Sequence, residues 1–320
     1  MGCSEFSVAP LGHSLPLVRA LFKQQPDDFQ VREQLDFLPG NVGEHLYLQI
    51  EKVRMETAQV VQRLAQFYGV QPLDIGYAGL KDRRARARQW FSIRTPSDLA
   101  PAATDSMRVV GRGRHGVKLR RGSHLGNQFV VRLRDIAQAA SREALVRIAE
   151  RGAPNYFGPQ RFAANSLQRA QRWLRRGQYA RRRRFAGQSW HLSVLRSLLF
   201  NQVLSHRVAA ESWSRLIEGD VAVLCGGASV PSGPLWGRGR SLALGKAAEL
   251  ERRAVASHRD ICQGLERAGV RHHRRALVLY PEAFSWECRG REITLSFSLP
   301  AGGYATSLLR EAFVLVEGNT

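Results

Sequence analysis

The hydrophobic period of this chain changes twice, and no other feature limits its architecture as much. From residue 28 to about residue 134, apolar residues mostly alternate, as they do in half-buried strands. Residues 28–33 put Phe29 and Val31 on one face, and residues 46–53 and 89–94 predict two further strands. Several strand-like pieces follow between 107 and 134. The last of them, 127–134, sets Phe129, Val131 and Leu133 against Arg132 and Arg134. One helix interrupts this region. It has Thr57 as its expected N-cap, Val60, Val61, Leu64 and Tyr68 on one face, and Gly69 at its end. After about residue 140 the period becomes helical, over 141–151, 165–176, 190–217 and 246–265. Asn165 and Gln168 have capping-box spacing, and 226–239 is rich enough in Gly and Pro to predict a loop. Strands then return as a hairpin, 284–288 and 292–299, around an Arg-Gly turn. This order is what a helical domain inserted into a mixed α/β domain would produce.

The chain has 320 residues, 44% of them hydrophobic, which suffices for one large core or two smaller ones and favours about two domains. Lys and Arg number 48 against 27 Asp and Glu, a formal net charge of +21. That imbalance favours a polyanionic partner, nucleic acid first and an acidic membrane surface second. Lysines are scarce among these cations: Lys23, Lys52, Lys81, Lys118 and Lys246. The arginines can pair bidentately with phosphate and stack on bases. No apolar run approaches the roughly 18–20 residues that span a bilayer. The N-terminal residues lack a basic segment followed by an apolar one, so no secretory signal is expected. Gly2 invites a myristoylation reading, but Phe6 stands where that motif needs Ser or Thr. Cys3, Cys225, Cys262 and Cys288 include no short-spaced pair, which argues against zinc and for reduced thiols in a cytoplasmic protein.

The densest chemistry lies in Gly76-Tyr-Ala-Gly-Leu-Lys-Asp-Arg-Arg-Ala-Arg-Ala-Arg-Gln-Trp90. One carboxylate, Asp82, stands among Lys81, Arg83, Arg84, Arg86 and Arg88. Nearby cations hold a carboxylate ionised, and an ionised, positioned Asp can act as nucleophile or base. The glycines let backbone approach a ligand closely. The same pattern also suits a solvated basic loop in which Asp82 only relieves charge repulsion.

Gly-Tyr-Ala-Gly-Leu-Lys-Asp-Arg-Arg-Ala followed by Arg-Gln-Trp-Phe-Ser closely resembles the signature of the TruD family of tRNA pseudouridine synthases. Further blocks fall in the family's order: Phe29-Gln-Val-Arg-Glu33, Gly43-Glu-His-Leu46, Lys52 and Thr57, then Gly126-Asn-Gln-Phe129 and the run from Pro154 to Phe162. The last is Leu299-Pro-Ala-Gly-Gly-Tyr-Ala-Thr-Ser-Leu-Leu-Arg-Glu311. Several long motifs in order are far more specific than one short match. The resemblance implies an α+β fold: a pseudouridine-synthase catalytic domain with a mixed, mainly antiparallel sheet, and an inserted, mainly helical TRUD domain. The expected boundaries are 1–154 and 279–320 for the catalytic domain and 155–278 for the insertion. The implied activity is isomerisation of uridine 13 of tRNA to pseudouridine, with no cofactor, no metal and no obligate protein partner.

By the same resemblance Asp82 is the catalytic group, and Phe29, Asn127, Phe129 and Tyr304 contact the uridine, Phe129 packing on the base. Taken alone, each aromatic fits a core position equally well, and Asn127 fits a turn. Asp82 would attack C1′ or uracil C6, or take a proton from C2′; the sequence leaves these routes open. A cation among Arg83, Arg84 and Arg88 is expected to keep it anionic. The chain departs from the family pattern at Arg54 and Glu56, where Gly and Asn or Asp are usual, and at Ala163, where Gly is usual. Tyr304 replaces a common Phe, and its hydroxyl could add a hydrogen bond or face water.

Three further basic runs, 108–121, 172–184 and 271–275, suit RNA backbone contact, the second mixing aromatics with Arg182, Arg183 and Arg184. With Lys81, Arg83, Arg84 and Arg88 these three arginines are the expected RNA-binding set. His272 and His273 lack partner ligands at metal spacing. Two other classes remain open at this level. One is an RNA-binding protein without chemistry. The other is a metal-dependent nuclease, which needs clustered carboxylates; the only adjacent acidic pair is Asp27-Asp28.

Overall fold

The structure is a computed structural model that describes residues 9–13, 15, 17–136, 138–162, 165–177 and 188–318. Gly2, Cys3, Phe6, Ala163 and the arginines 182, 183 and 184 lie outside the described residues. The chain divides into two units. One comprises Leu17–Arg142, Pro281–Gly303 and Phe313–Thr320; the other comprises Met1–Pro16, Glu143–Tyr280 and Tyr304–Ala312.

The first unit is built on strands β1 (Val18–Phe22), β2 (Phe29–Gln34), β3 (His45–Val53), β4 (Gly76–Tyr77), β5 (Arg86–Arg94), β6 (Met107–His115) and β7 (Gly126–Arg134), with helix α1 (Thr57–Tyr68) between β3 and β4. The chain then runs through helices and short strands: α2 (Gln138–Arg151), β8 (Ala153–Pro154), α3 (Ser166–Arg175), α4 (Gln188–Ala209), β9 (Ala222–Cys225), β10 (Ala228–Leu235), α5 (Gly245–Ala254), α6 (Arg259–Arg267), β11 (His273–Ala276) and β12 (Val278–Leu279). It closes with β13 (Glu282–Arg289), β14 (Glu292–Pro300), α7 (Ala305–Leu309) and β15 (Phe313–Glu317).

A ten-stranded sheet carries the first unit, in the order β13-β14-β7-β2-β5-β3-β6, with β1 beside β7 and β15, and β4 beside β5. Its pairings are antiparallel except β2 with β5 and β1 with β15. The fold is therefore α+β with a mixed, mainly antiparallel sheet. The alternating strands bury one face each: Val131, Leu133, Ile293, Leu295 and Phe297 are 1% exposed or less. Under the other half of the sheet, Val60, Val61 and Leu64 of α1 pack with Leu46, Leu48, Ile50, Phe91 and Ile93. Gly69 ends α1 at φ 66°, a conformation that suits glycine. The N-cap of α1 is Glu56, whose N–H donates to Gln59 Oε1 at 2.8 Å, rather than Thr57. The Thr57 hydroxyl is engaged elsewhere.

In the second unit α3, α4, α5 and α6 enclose Trp173, Leu174, Val194, Leu198, Leu199, Ile261 and Leu265. Four expectations change here. The helix foreseen over 190–217 stops at Ala209, because the Arg207 guanidinium turns the chain, donating to Ser212 O and Arg215 O and pairing with Asp220 at 2.8 Å. The helix foreseen over 246–265 breaks at Ala256–His258 into α5 and α6. The Gly/Pro-rich stretch contains β10, which pairs with β9 through 228–231 and with β11 through 232–235. Pro231 and Pro234 thus flank the point where β10 changes partner from β9 to β11, and the Pro231 carbonyl still accepts the Leu277 N–H at 2.9 Å. Asn165 adopts φ 60° at the start of α3 without a side-chain cap. Among the described residues no helix is long and apolar enough to cross a membrane.

Candidate active site

Asp82 lies in the turn between β4 and β5, and four elements pin that turn. From β3, Lys52 Nζ donates to Asp82 O at 2.8 Å and to Met55 O at 2.6 Å. From α1, Thr57 Oγ1 accepts the Lys81 N–H at 3.1 Å and donates to Gln89 Oε1 at 3.1 Å. Gln89, on β5, donates its Nε2 to Gly79 O at 2.6 Å. From β2, Glu33 Oε1 takes Lys81 Nζ at 2.6 Å, and its second oxygen accepts Trp90 N–H at 3.0 Å. Thr57, Gln89, Glu33 and Lys52 are all at most 2% exposed. Buried polar groups with complete partners are directional and hold the backbone at Asp82 in one place.

The Asp82 carboxylate is itself held at both oxygens. Oδ1 accepts the Arg84 backbone N–H at 2.9 Å, and Oδ2 pairs with Lys23 Nζ. The Lys23 side chain is 3% exposed and that of Asp82 31% exposed. Lys23 follows β1, and its ammonium lies 4.6 Å from the centre of the Phe29 ring and 4.8 Å from that of Phe22. These ring faces stabilise the cation on the side away from water. Burial alone would raise the Asp82 pKa. The Lys23 charge and hydrogen bond, the Arg84 N–H and the more distant Lys52 charge outweigh it and hold the group below the ordinary range. Lys52, wholly enclosed, is pushed down to about 8, chiefly by burial, with Asp82 opposing and Lys81 reinforcing the shift. The site therefore presents a carboxylate that stays ionised, is fixed in orientation, and is one-third open to solvent.

The arginines expected to hold Asp82 anionic do other things. Arg88 Nε pairs with the buried Glu51 at 2.8 Å, alongside Arg86 at 3.0 Å and Arg108 at 2.7 Å. The Arg84 guanidinium pairs with Glu317 at 3.2 Å, and only its backbone reaches Asp82. Arg83 is exposed. Lys81, expected to face RNA, is turned inward onto Glu33 with its side chain 5% exposed. The reason is electrostatic: the Glu33 carboxylate, 2% exposed, is buried next to the turn and takes the Lys81 ammonium as its counter-charge.

Phe29 and Phe129 are each 6% exposed. Phe129 stacks on Phe297 at 5.3 Å and tilts against Phe29 at 5.9 Å. Asn127, one residue pair up β7 on the same face, is half-buried; its Nδ2 lies 3.4 Å from His124 Nε2, and its Oδ1 is buried without a partner. An unpaired buried acceptor is costly unless a ligand supplies its donor. Tyr304 belongs to the second unit, where it precedes α7 and packs edge-on against Phe157 at 6.0 Å. Thus Lys23, Phe29 and Asp82 meet in the first unit, and Asn127 and Phe129 share one strand there. Lys23 was not foreseen. The signal for it was the scarcity of lysine: three of the five, Lys23, Lys52 and Lys81, converge on the Asp82 turn. Among the described residues no group of three or more His, Cys, Asp or Glu is placed to hold a metal.

The family model for tRNA pseudouridine synthase D (TruD) matches residues 12–171 and 223–312. A tRNA pseudouridine synthase D of Aeromonas hydrophila is 39% identical over 334 residues, covering 96% of this chain and 94% of the relative. One of Cellvibrio japonicus is 43% identical over 303 residues, covering 91% and 88%. Among solved structures, a candidate tRNA pseudouridine synthase D from Methanosarcina mazei superposes with a TM-score of 0.67 over 96% of both chains at 19% identity, a likeness of fold.

Proposed function

The chain belongs to the TruD family of tRNA pseudouridine synthases, which are isomerases, and from that premise we propose that it converts uridine 13 of tRNA to pseudouridine with Asp82 as the catalytic group. The observation that carries this reading is the state of Asp82. It is ionised by the Lys23 pair, fixed by the Arg84 N–H and the Lys52-bound carbonyl, and still open to solvent on one side. A structural counter-ion in a basic loop needs none of that scaffolding.

The target base is stacked within folded RNA, so the nucleotide must be extruded into the site. Asp82 then starts cleavage of the bond between C1′ and N1. The freed uracil rotates, C5 bonds to C1′, N1 takes up a proton and C5 gives one up. Atoms balance without any added reagent. Phe29 and Phe129 supply the apolar wall for the uracil, and the unpaired Asn127 Oδ1 is suited to accept a uracil N–H. Tyr304 is proposed as a further uridine contact. The same proposal assigns the chemistry to 1–154 and 279–320 and the TRUD insertion to 155–278.

The decisive experiment maps pseudouridine chemically in tRNA before and after incubation with the purified protein and no cofactor. Appearance of pseudouridine at position 13 is expected. An unchanged uridine there, with intact tRNA bound, would favour a binding protein without chemistry.

A further inference from the structure

Beside the Asp82 turn lies a cavity of about 400 Å³, lined by Lys23, Gln24, Gln25, Pro26, Arg54, Arg83 and Arg84. Its lining contains four cations, two amides and no carboxylate. Lys23 and Arg84 have partners in Asp82 and Glu317, but among the described residues the Arg54 and Arg83 side chains make no hydrogen bond or ion pair. Two free guanidiniums on a cavity without counter-charge match one kind of ligand, an anion with several equivalent oxygens.

The backbone supports the same conclusion. Lys23 and Arg54 both adopt the left-handed region, at φ 54° and 52°. This conformation is natural for glycine and unfavourable for a residue with a Cβ. Arg54 stands in the bend between β3 and α1, where glycine would be relaxed and the sequence pattern expects one. Strained positions of this type persist where the surroundings over-determine them and cluster at ligand sites.

We propose that this cavity binds a phosphate of the RNA backbone adjacent to the reacting uridine, with Arg54 and Arg83 as its guanidinium ligands. The adjacency rests on the function proposed above and on Lys23, which lines the cavity and also bonds Asp82, so that the bound phosphate is one nucleotide or less from the reacting base. Gln24 and Gln25 can donate their amides to the same oxygens. Arg54 is on this view an added phosphate ligand that trades a relaxed turn for grip on the substrate.

The test uses tRNA carrying an uncharged methylphosphonate on the 5′ or the 3′ side of uridine 13, with the full-length protein and its Arg54→Gly, Arg54→Gln and Arg83→Gln variants. Wild type should lose about tenfold or more in affinity for one of the two modified tRNAs. Each variant should lose a similar factor on unmodified tRNA, and no more than about twofold further on the methylphosphonate. Its slope of log affinity against log salt should be shallower by roughly 0.7–0.9. Arg54→Gly should unfold at the same or higher urea, so that its binding loss is not a folding loss. Wild-type affinity in the variants, indifference of wild type to both methylphosphonates, or losses that multiply would each overturn the proposal. Binding is measured apart from pseudouridine yield. Coupled losses without product would remove the catalytic reading and keep the phosphate site, whereas product with multiplying losses would do the reverse.

Discussion

Lys23 and Asp82 form an ion pair of unequal burial: the ammonium side chain is 3% exposed, the carboxylate 31%. The cation is thus committed to the protein and the anion is left facing outward. Two rings back the ammonium, and the next carboxylate, Glu317, stands 3.9 Å away. This arrangement makes Lys23 a fixed source of positive potential that keeps Asp82 charged while leaving one side of it open.

Asp82→Asn is expected to abolish pseudouridine formation while leaving tRNA affinity equal or slightly higher, because the amide is a poor nucleophile and removes an anion from a basic surface. Stability should fall by about 1–2 kcal/mol, less than the loss from breaking a fully buried pair, since water and Glu317 still reach Lys23. In wild type, the depressed Asp82 pKa means that its contribution is intact above the ordinary aspartate value, about 3.9, and is lost as pH falls through the lower folded value. Single-turnover yield, tRNA affinity and urea unfolding are to be measured on one preparation. Appreciable product from a folded, binding variant would remove Asp82 as the catalytic group.

Strands that bury one face, such as β2, β7 and β14, were legible because alternation is a direct image of that burial. β10 was not, since its prolines look like loop residues until its change of partner from β9 to β11 is known. Asp82 could be found from its motif. Its partner had only the scarcity of lysine to mark it: Lys23 stands 59 residues away in sequence, and no local pattern links the two. The same limit applied to Lys81. Its sequence neighbours suggested an RNA-facing cation, whereas the pleat of β2 delivers Glu33 to it from 48 residues away. Arginine-rich surroundings hide such pairs, because charge counts do not say which cation is turned inward.

Phe129→Ala should cost about 3–5 kcal/mol of stability, the range for emptying a buried aromatic site. The ring is 6% exposed and lies between Phe29 and Phe297, so its removal opens the sheet face rather than a surface. It should also slow modification per folded molecule by roughly tenfold to a hundredfold, because the wall behind Lys23 and the uracil loosens. Thermal unfolding and single-turnover rate together check this. An unchanged melting temperature would show that Phe129 does not support the core.

Lys52→Met is expected to change the pH dependence of stability. The folded pKa of Lys52 is pushed down to about 8 from an ordinary 10.5, chiefly by burial. The unfolded chain therefore binds the extra proton between those values, and wild-type stability should gain on the order of 3 kcal/mol from this group as pH rises through that window. The gain is lost again as pH falls to about 8. The methionine variant should lack it, and should also catalyse more slowly, because the Asp82 carbonyl loses the donor that positions it. Urea unfolding of both proteins from pH 7.5 to 10.5 measures the difference. Parallel curves would mean that Lys52 keeps an ordinary pKa.

Glu311 supplies the opposite sign. It is wholly enclosed in the second unit, its Oε2 accepts the N–H groups of Gly12 at 2.8 Å and His13 at 3.1 Å, and its Oε1 is buried without a partner. Burial raises its pKa to about 7, against the opposing backbone bonds and Arg310. A group whose folded pKa exceeds its unfolded value stabilises below the unfolded value and loses that contribution as pH rises through the folded one. The wild-type protein should therefore lose stability between about pH 4.5 and 7, on the order of 3 kcal/mol from this residue. Glu311→Gln keeps the acceptor for Gly12 and His13 and never ionises. It should match wild type near pH 4.5 and exceed it by a few kcal/mol at pH 8.5. Urea unfolding at both pH values decides the matter. If the variant is instead the less stable protein at pH 8.5, the two backbone N–H groups are sufficient to hold Glu311 as a buried carboxylate.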